Sequence, residues 1–148
     1  MKISTRVELG IVALADIAVN SENGETVSSA EIAARQNISQ KYLEQIIVGL
    51  RQGGFVRGQK GSRGGYVLSR NAGDIYLSDV LDALDNTILA DTYESLDDGN
   101  DIRSAVNECL WEKINDYIRS FTSTLTLEDL IDKHKETTIP SGGFMYYI

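Results

Sequence analysis

A chain of 148 residues with 42% hydrophobic and 24% charged residues has the composition of an ordinary globular protein. Its single cysteine excludes an internal disulfide and fits a reducing cytoplasm. No run reaches the roughly 18 apolar residues of a membrane span. The charged residues Glu8 and Asp16 bracket the apolar run LGIVALA too closely for it to be a signal peptide. The net charge of -8 is uneven, because residues 1–70 carry nine Lys/Arg and six Asp/Glu while residues 71–148 carry five and sixteen, which indicates a basic half that faces a polyanion.

Two helices are predicted at the start of the chain. Apolar residues recur at helical spacing from Val7 to Ala18, which predicts an amphipathic helix over residues 4–19 with Ser4 as its N-cap. The segment SENGE ends this helix. In SSAEIAARQ, Ser28 and Glu31 have the spacing of a capping box, in which each side chain bonds to the other residue's free amide, so a short second helix follows.

A third helix and two strands complete the first half. Ser39 is placed to cap a helix that ends at Gly53-Gly54. The apolar seam of this helix has three- and four-residue spacing: Leu43, Ile46, Ile47 and Leu50. The runs FVRG and YVLS have the composition of short strands, and a glycine-rich basic stretch joins them. Helix, short helix, tight turn, helix and two-stranded ribbon, in this order, predict a winged helix-turn-helix.

The second half predicts further helices. Ser78 is placed to cap a helix over DVLDALDNT, and the acidic segment YESLDDGND is predicted to be a loop. From Ile102 an apolar stripe runs along a helix of about five turns. The stripe consists of positions 102, 105, 106, 109, 110, 114, 117, 118 and 121. Such a helix needs a partner, most simply a second copy of the chain. A capped short helix in TLEDLIDK and the tail SGGFMYYI follow.

The predicted fold class is therefore mainly α with a small two-stranded β wing. Residues 1–72 are predicted to form a winged helix-turn-helix DNA-binding domain, and residues 73–148 a helical dimerisation region with a C-terminal tail. Cys109 lies on the apolar stripe and is expected to be a small buried residue, and His134 is expected on the surface. One Cys and one His cannot build a zinc or iron–sulfur site within one chain, so no metal or cofactor is expected. No nucleophile–base pair, P-loop or dinucleotide fingerprint is present, so the chain is not expected to be an enzyme.

The stretch RGQKGSRGGYVLSR, residues 57–70, holds four cations and no acid in a chain of net charge -8. A wing tip has to bend sharply and lie close to the DNA backbone, which glycines permit by removing side-chain bulk. Lys60 and Arg63 are predicted to neutralise phosphates or to enter the minor groove. The alternative is an ordinary solvated hairpin with incidental charge.

The exposed face of the third helix is predicted to contact the major groove. Its candidate residues are Ser39, Gln40, Lys41, Gln45 and Arg51. Glutamine can bond adenine with two hydrogen bonds, and lysine can donate to guanine. Tyr42 either contacts phosphate through its hydroxyl or packs in the core, and Glu44 either accepts from cytosine or pairs with Lys41. Because half or more of protein–DNA hydrogen bonds go to phosphate and sugar, most of these residues are assigned positioning roles.

The segment SQKYLEQIIVGLRQGGFVRGQKGSRGGYVL, residues 39–68, resembles the signature of the bacterial Rrf-type winged-helix repressors, the family that includes IscR, NsrR and CymR. The matching pieces are the opening MKIST, Ser39, Tyr42-Leu43-Glu44-Gln45, Leu50-Arg51, Gly54, Val56, Gly61 and Gly64-Gly65-Tyr66. The resemblance implies a homodimeric, cytoplasmic transcription factor that binds double-stranded DNA at a palindromic operator, with its long C-terminal helices crossing to form the dimer. It also implies that these positions face DNA: Lys2, Ser4, Gln40, Tyr42, Gln45, Lys60 and Arg63.

The sequence departs from the family pattern in the wing, in its cysteines, and at Glu8 and Leu9, where a basic residue and Tyr are common. The wing has Gly58-Gln59-Lys60-Gly61 where the family usually has Ser-x-Arg-Gly, and lysine is a poorer minor-groove residue than arginine, so Arg63 would have to compensate. The iron–sulfur branch of the family has three cysteines between the winged domain and the long helix. Residues 71–108 contain none, so the resemblance implies the cluster-free branch.

The C-terminal tail suggests a protein partner. The segments SFTSTLTLEDLID and FMYYI resemble the cysteine-metabolism branch of the family (CymR), whose repressor acts in complex with cysteine synthase. The resemblance implies that Tyr146, Tyr147 and Ile148 bind this enzyme, with Ile148 imitating an isoleucine tail. The residues themselves leave self-docking, disorder and partner binding open. The alternative function is an adaptor that binds a metabolic enzyme through its tail and DNA only weakly, for which four clustered cations have no use.

Overall fold

The computed structural model describes residues 3–60, 64–88 and 101–138, and three capped helices come first. Helix α1 spans Thr5–Asn20, and the Val7 N–H donates to Ser4 Oγ at 3.3 Å. Helix α2 spans Ser29–Gln36 and begins with the predicted capping box. Helix α3 spans Gln40–Gln52, with Ser39 as its N-cap. All three predicted helix starts are confirmed, because a cap depends only on local sequence.

The turn between α2 and α3 spans residues 37–39 and contains one left-handed residue. Asn37 has a φ of +53°, the only positive φ at a non-glycine position in the described part of the chain. Asparagine tolerates this conformation better than most residues. The Ile38 N–H donates to Ala33 O at 3.1 Å, and Ile38 is buried, so the turn fixes the direction in which α3 leaves α2.

The wing is a two-stranded antiparallel sheet. Strand β1 spans Val56–Gln59 and strand β2 spans Gly65–Leu68, each shifted by one residue from the predicted runs FVRG and YVLS. Val27 adds a bridge to Tyr66, with the two backbone hydrogen bonds 2.8 and 3.0 Å long. The wing is therefore tied to the segment that precedes α2 and does not stand alone.

The glycines of the wing have different surroundings, which the sequence did not predict. A Cβ at Gly65 would lie 2.7 Å from Val27 O, whereas a Cβ at Gly58 would meet nothing within 4 Å. We expect Gly65→Ala to lower the free energy of unfolding by about 1–3 kcal/mol, because backbone atoms have to move. Gly58→Ala is the matched control and should change it by less than about 0.5 kcal/mol. Equal denaturation midpoints for the two variants would contradict this contact.

Helix α4 spans Leu77–Leu84, so it starts two residues and ends three residues earlier than predicted. The prediction that Ser78 caps it is wrong. Ser78 lies in the first turn, because the Leu77 N–H donates to Leu125 O at 2.8 Å and the backbone of Tyr76, at the N-cap position, bridges to Thr126. Tertiary backbone pairing therefore sets the start of this helix.

Residues 101–124 are helical throughout, as α5 (Asp101–Val106), a π-helical turn (Asn107–Trp111) and α6 (Glu112–Thr124). The long helix is confirmed, and the π turn within it was not predicted. A π turn inserts one additional residue and rotates the next helical segment by about 100°. Of the nine stripe positions, Ile114 and Ile118 are half-buried and the other seven are exposed: Ile102, Ala105, Val106, Cys109, Leu110, Tyr117 and Phe121.

Helix α7 spans Leu127–Thr138 and returns to the first half of the chain. The Thr126 N–H donates to an Asp129 oxygen at 2.8 Å and the Asp129 N–H donates to Thr126 Oγ1 at 3.2 Å, so the predicted cap is present. Leu127 and Ile131 join the core that α1, α3 and α4 form. The core thus runs across residue 72, and the functional division of the chain there stays a prediction. No helix of the described residues has the length and apolar character to cross a membrane.

Candidate nucleic-acid interface

Helix α3 has one buried and one exposed face. The predicted seam is confirmed, because Leu43, Ile46, Ile47 and Leu50 are all buried. The opposite face is open: Gln40, Lys41, Glu44, Gln45, Val48 and Arg51 are exposed. Lys41, Gln45 and Val48 follow one another at four- and three-residue spacing and therefore share one side of the helix. With Arg51 in the last turn, the open face is polar and basic apart from Val48, and its polar side chains are of the kinds that bond to base edges.

Glu44 bonds to the start of α2, and within the described residues no hydrogen bond joins it to Lys41. Gln40 Nε2 donates to Ser29 Oγ and to Glu44 Oε1, each at 3.4 Å, and Ser29 Oγ donates to Glu44 Oε1 at 3.5 Å. These long bonds hold Gln40 and Glu44 beside α2. In the same part of the chain no hydrogen bond or ion pair engages Lys41 or Gln45, so both can reach a ligand.

Two further candidates, Ser4 and Ser39, are the N-cap residues of α1 and α3. Ser4 Oγ and Ser39 Oγ both accept backbone N–H groups of the first turn, so each side chain already has a local partner. The positive end of a helix dipole lies at each of these positions and favours a phosphate. Tyr42 is half-buried and packs against the core, which supports the packing interpretation of its ring.

The basic stretch of residues 57–70 divides into cations with different surroundings. Arg57 and Lys60 are exposed on and just beyond β1. Arg70 stacks over the Phe55 ring with its guanidinium carbon 4.9 Å from the ring centroid, so it lies at the base of the wing and not at its tip. Arg63, like Lys2 and the tail residues Tyr146, Tyr147 and Ile148, lies outside the described residues.

An ion pair between a buried carboxylate and a partly exposed guanidinium joins α1 to α2, and it was not predicted from the sequence. The Asp16 side chain is 1% exposed, and Arg35 donates to its two oxygens at 2.7 and 3.0 Å. Gln36 Nε2 donates at 2.8 Å and Asn20 Nδ2 at 3.3 Å. Burial, the largest effect, raises the pKa of Asp16, but the bonds from Arg35 and Gln36 and the Arg35 charge together lower it below its usual range. The hydrogen bonds that Arg35 donates to Asp16 in turn raise the pKa of Arg35. The sequence signal for this pair was Asp16 itself, an acidic residue within the apolar face of α1.

A second contact between residues far apart in the sequence holds α4 against the start of α1. Arg6 Nε donates to Leu84 O at 3.2 Å, which places a cation on the carbonyl end of α4, where the helix dipole favours it. A Cβ at Gly10 would lie 2.6 Å from Leu84 Cδ1, so α1 and α4 pack closely. These contacts hold the first turns of α1 against the end of α4.

Cys109 and His134 do not form a metal site with other described residues. Cys109 is exposed on the π turn, which corrects the expectation that the chain buries it. His134 is exposed on α7, as expected. Among the residues that the structure describes, no group of three His, Cys, Asp or Glu side chains is arranged to hold a metal.

A helix-turn-helix with an exposed third helix, followed by a β wing with exposed cations, defines the class of winged helix-turn-helix DNA-binding proteins. A family model named Rrf2, described as an iron-dependent transcriptional regulator, matches residues 3–133. The chain therefore belongs to the Rrf2 family and is a DNA-binding transcriptional regulator.

Known relatives agree with this assignment. The transcriptional regulator IscR of Xenorhabdus nematophila is 32% identical over 131 residues, which cover 88% of this chain and 79% of the relative. CymR, the global cysteine regulator of B. subtilis, superposes with a TM-score of 0.75 and is 30% identical, covering 90% of this chain and 98% of that one. IscR of T. potens superposes with a TM-score of 0.78 at 31% identity, covering 99% of this chain and 97% of that one.

The iron in the family description needs a donor set, and this chain does not supply one for an iron–sulfur cluster. Such clusters are held by four protein ligands, which are four cysteine thiolates or, in some cases, two cysteine thiolates and two histidines. The whole sequence contains one Cys and one His. The residues present therefore do not fit an iron–sulfur cluster within one chain.

Proposed function

We propose that this protein is a homodimeric, cytoplasmic repressor that binds a palindromic operator without an iron–sulfur cluster. The observation that carries the proposal is the open face of α3 beside the exposed cations of the wing. In this arrangement α3 enters the major groove, and the wing contacts the flanking backbone or minor groove. Two copies then contact half-sites about one helical turn apart.

The proposed DNA contacts fall into two groups. Base edges are contacted from the exposed side of α3, where Lys41 and Gln45 have no partner within the described residues. Phosphates are contacted from helix starts and from the wing. The full proposed set is Lys2, Ser4, Ser39, Gln40, Lys41, Tyr42, Gln45, Arg51, Lys60 and Arg63.

The dimer is supported by the exposed side of the long helix. Ile102 and Tyr117 are each 78% exposed and Phe121 is 64% exposed, and all lie on one helix. Several large apolar residues in one row on a helix mark an interaction surface. The simplest occupant is the same row of a second copy, because two-fold DNA sites call for a two-fold dimer.

Control of cysteine metabolism is the proposed role of the regulator. The likeness to CymR, described as the global cysteine regulator of B. subtilis, supports this role. The single cysteine supports regulation without a cluster. The proposed protein partner is cysteine synthase, bound by Tyr146, Tyr147 and Ile148.

The testing experiment is a salt series of binding to the protein's own upstream promoter DNA, with and without cysteine synthase. A regulator should show a linear fall of log affinity with log salt concentration, together with a preference for the promoter over random DNA. Tighter binding when the enzyme is added would support the sulfur assignment. Weak binding with no sequence preference in both conditions would contradict the proposal and favour the adaptor.

Gln45 and Lys60 provide a paired prediction for this interface. We expect Gln45→Ala to remove about 1–3 kcal/mol of discrimination at one base position, because it removes a base-edge contact. The slope of log affinity against log salt concentration should stay unchanged. We expect Lys60→Ala to weaken binding to all DNA sequences alike, because it removes a phosphate contact. The slope of log affinity against log salt concentration should fall by about one. Each variant is the control for the other in a binding assay over single-base operator variants. A changed base preference with an unchanged slope for Lys60→Ala would show that its phosphate role is wrong.

A further inference from the structure

A cleft of about 570 Å³ lies at the base of the wing, between the end of α1, the sheet and α7. Its volume lies within the range of small-molecule sites. Buried Ala18, Val67 and Ile131 contribute apolar surface to its lining. Its described lining includes no residue of α3, but Arg57 and Ser69 also line a neighbouring cleft beside Val48 and Arg51 of that helix.

The sheet register directs one side of the wing into this cleft. Arg57 lies opposite Val67, and the Ser69 N–H donates to Phe55 O at 2.9 Å, which continues the pairing beyond β2. Because side chains alternate between the two faces of a strand, Arg57, Val67 and Ser69 share one face. All three line the cleft.

The charge of the cleft is positive in a strongly acidic chain. Arg57 and Arg70 both line it, and Arg70 is held in place over the Phe55 ring. Glu22 is the one acid among the described lining residues, and its carboxylate lies 3.2 Å from Lys135 Nζ. No described carboxylate pairs with Arg57 or Arg70. Two guanidinium groups without acidic partners among the described residues therefore lie at the edge of a cleft whose lining is part polar and part apolar.

We propose that this cleft binds a small anionic metabolite that carries a carboxylate or phosphate group. The anion lies between Arg57 and Arg70, whose planar guanidinium groups match both anions with paired hydrogen bonds. Ser69 and Asn71, which also line the cleft, supply neutral donors beside them. The apolar part of the ligand covers Val67. This is a ligand site in addition to the DNA-binding function, on the strand that leads into the wing.

The site is tested by NMR titration of the full chain with inorganic phosphate and, separately, with succinate, at constant ionic strength. We expect saturable amide shifts confined to residue 57 and residues 67–71, and an affinity for at least one probe that falls by about tenfold or more in Arg57→Gln and in Arg70→Gln. Lys133→Gln removes an exposed cation outside the cleft and should bind as the wild type does. No saturable shift with either probe, equal affinity in Arg57→Gln, or shifts spread over all Lys and Arg residues would overturn the proposal.

Promoter binding by Arg57→Gln, without either anion, separates this site from a DNA phosphate contact. Arg57 is three residues from Lys60, about 10 Å along a strand. A loss of DNA affinity below about fivefold supports a separate ligand site, whereas a larger loss with a smaller salt slope would assign Arg57 to the DNA backbone and overturn it. The titration needs no DNA, so it gives its answer even if the proposed regulator function fails. Because Arg57 and Arg70 are exposed, both variants should keep the wild-type amide spectrum away from the cleft.

Discussion

Arg35→Ala is expected to lower the free energy of unfolding by about 2–3 kcal/mol, measured by chemical denaturation at neutral pH. The variant leaves the Asp16 carboxylate, 1% exposed, without its charged partner. Breaking a buried ion pair costs about 3–5 kcal/mol when both groups are buried. The Arg35 side chain is 39% exposed, so water already weakens the pair and the expected loss is smaller.

The loss should depend on pH in a defined direction. In the wild type the pKa of Asp16 is lowered, so its contribution is present above the unfolded-state pKa of about 3.9 and disappears as the pH falls through the lower folded-state pKa. In Arg35→Ala burial is no longer opposed by the guanidinium and raises the pKa of Asp16 relative to the wild type. Protonation then relieves the buried charge. The difference in stability between the two proteins should therefore shrink as the pH is lowered toward about 4.

Lys133→Ala is the matched control for this prediction. Lys133 also forms an ion pair, with Glu136 at 3.2 Å, but the two side chains are 73% and 69% exposed. Removing it should change the free energy of unfolding by less than about 0.5 kcal/mol at any pH. Equal losses for Arg35→Ala and Lys133→Ala, or a loss for Arg35→Ala that grows on acidification, would show that the Asp16 pair does not hold α1 against α2.

The sequence predicted those parts of the fold that depend on local chemistry. The starts of α1, α2 and α3 follow from side chains three residues away, and the α3 seam follows from helical spacing. The start of α4 was predicted incorrectly because a backbone bond from Leu77 to Leu125, 48 residues away, sets it. The π turn also escaped prediction, since the apolar spacing around Cys109 suits an ordinary helix equally well. In each failure the deciding interaction lies far along the chain or leaves no periodic signal.

In the candidate interface too, features that depend on local spacing could be predicted, and features that depend on contacts in space could not. The exposed face of α3 could be predicted because exposure on a helix follows from the position of its seam. The roles of the basic residues 57–70 could not, since charge alone does not distinguish Lys60 from Arg70, which stacks on Phe55. Gly65 was likewise grouped with Gly58, although only Gly65 lies against the backbone of Val27. Assigning these roles requires knowing what each side chain meets in space.

Phe121→Glu is expected to convert the proposed dimer into monomers. Phe121 is 64% exposed, so the substitution should leave the fold of the single chain intact, but in a dimer it would bury a charge in an apolar seam. Sedimentation velocity at micromolar concentration should show the change of mass. Because the two half-sites are no longer bound by one linked particle, affinity for the full operator should fall by about 100-fold or more.

Ser123→Glu is the matched control, since Ser123 is exposed on the same helix and lies more than about 100° around it from both Tyr117 and Phe121. This variant should stay dimeric and bind the operator as the wild type does. Affinity for an isolated half-site should be unchanged in both variants, because neither residue lies near α3 or the wing in sequence or in the proposed contacts. Phe121→Glu that stays dimeric would place the dimer contact elsewhere. A monomer that keeps full operator affinity would separate DNA binding from dimerisation, and the exposed apolar row would then have to serve another partner.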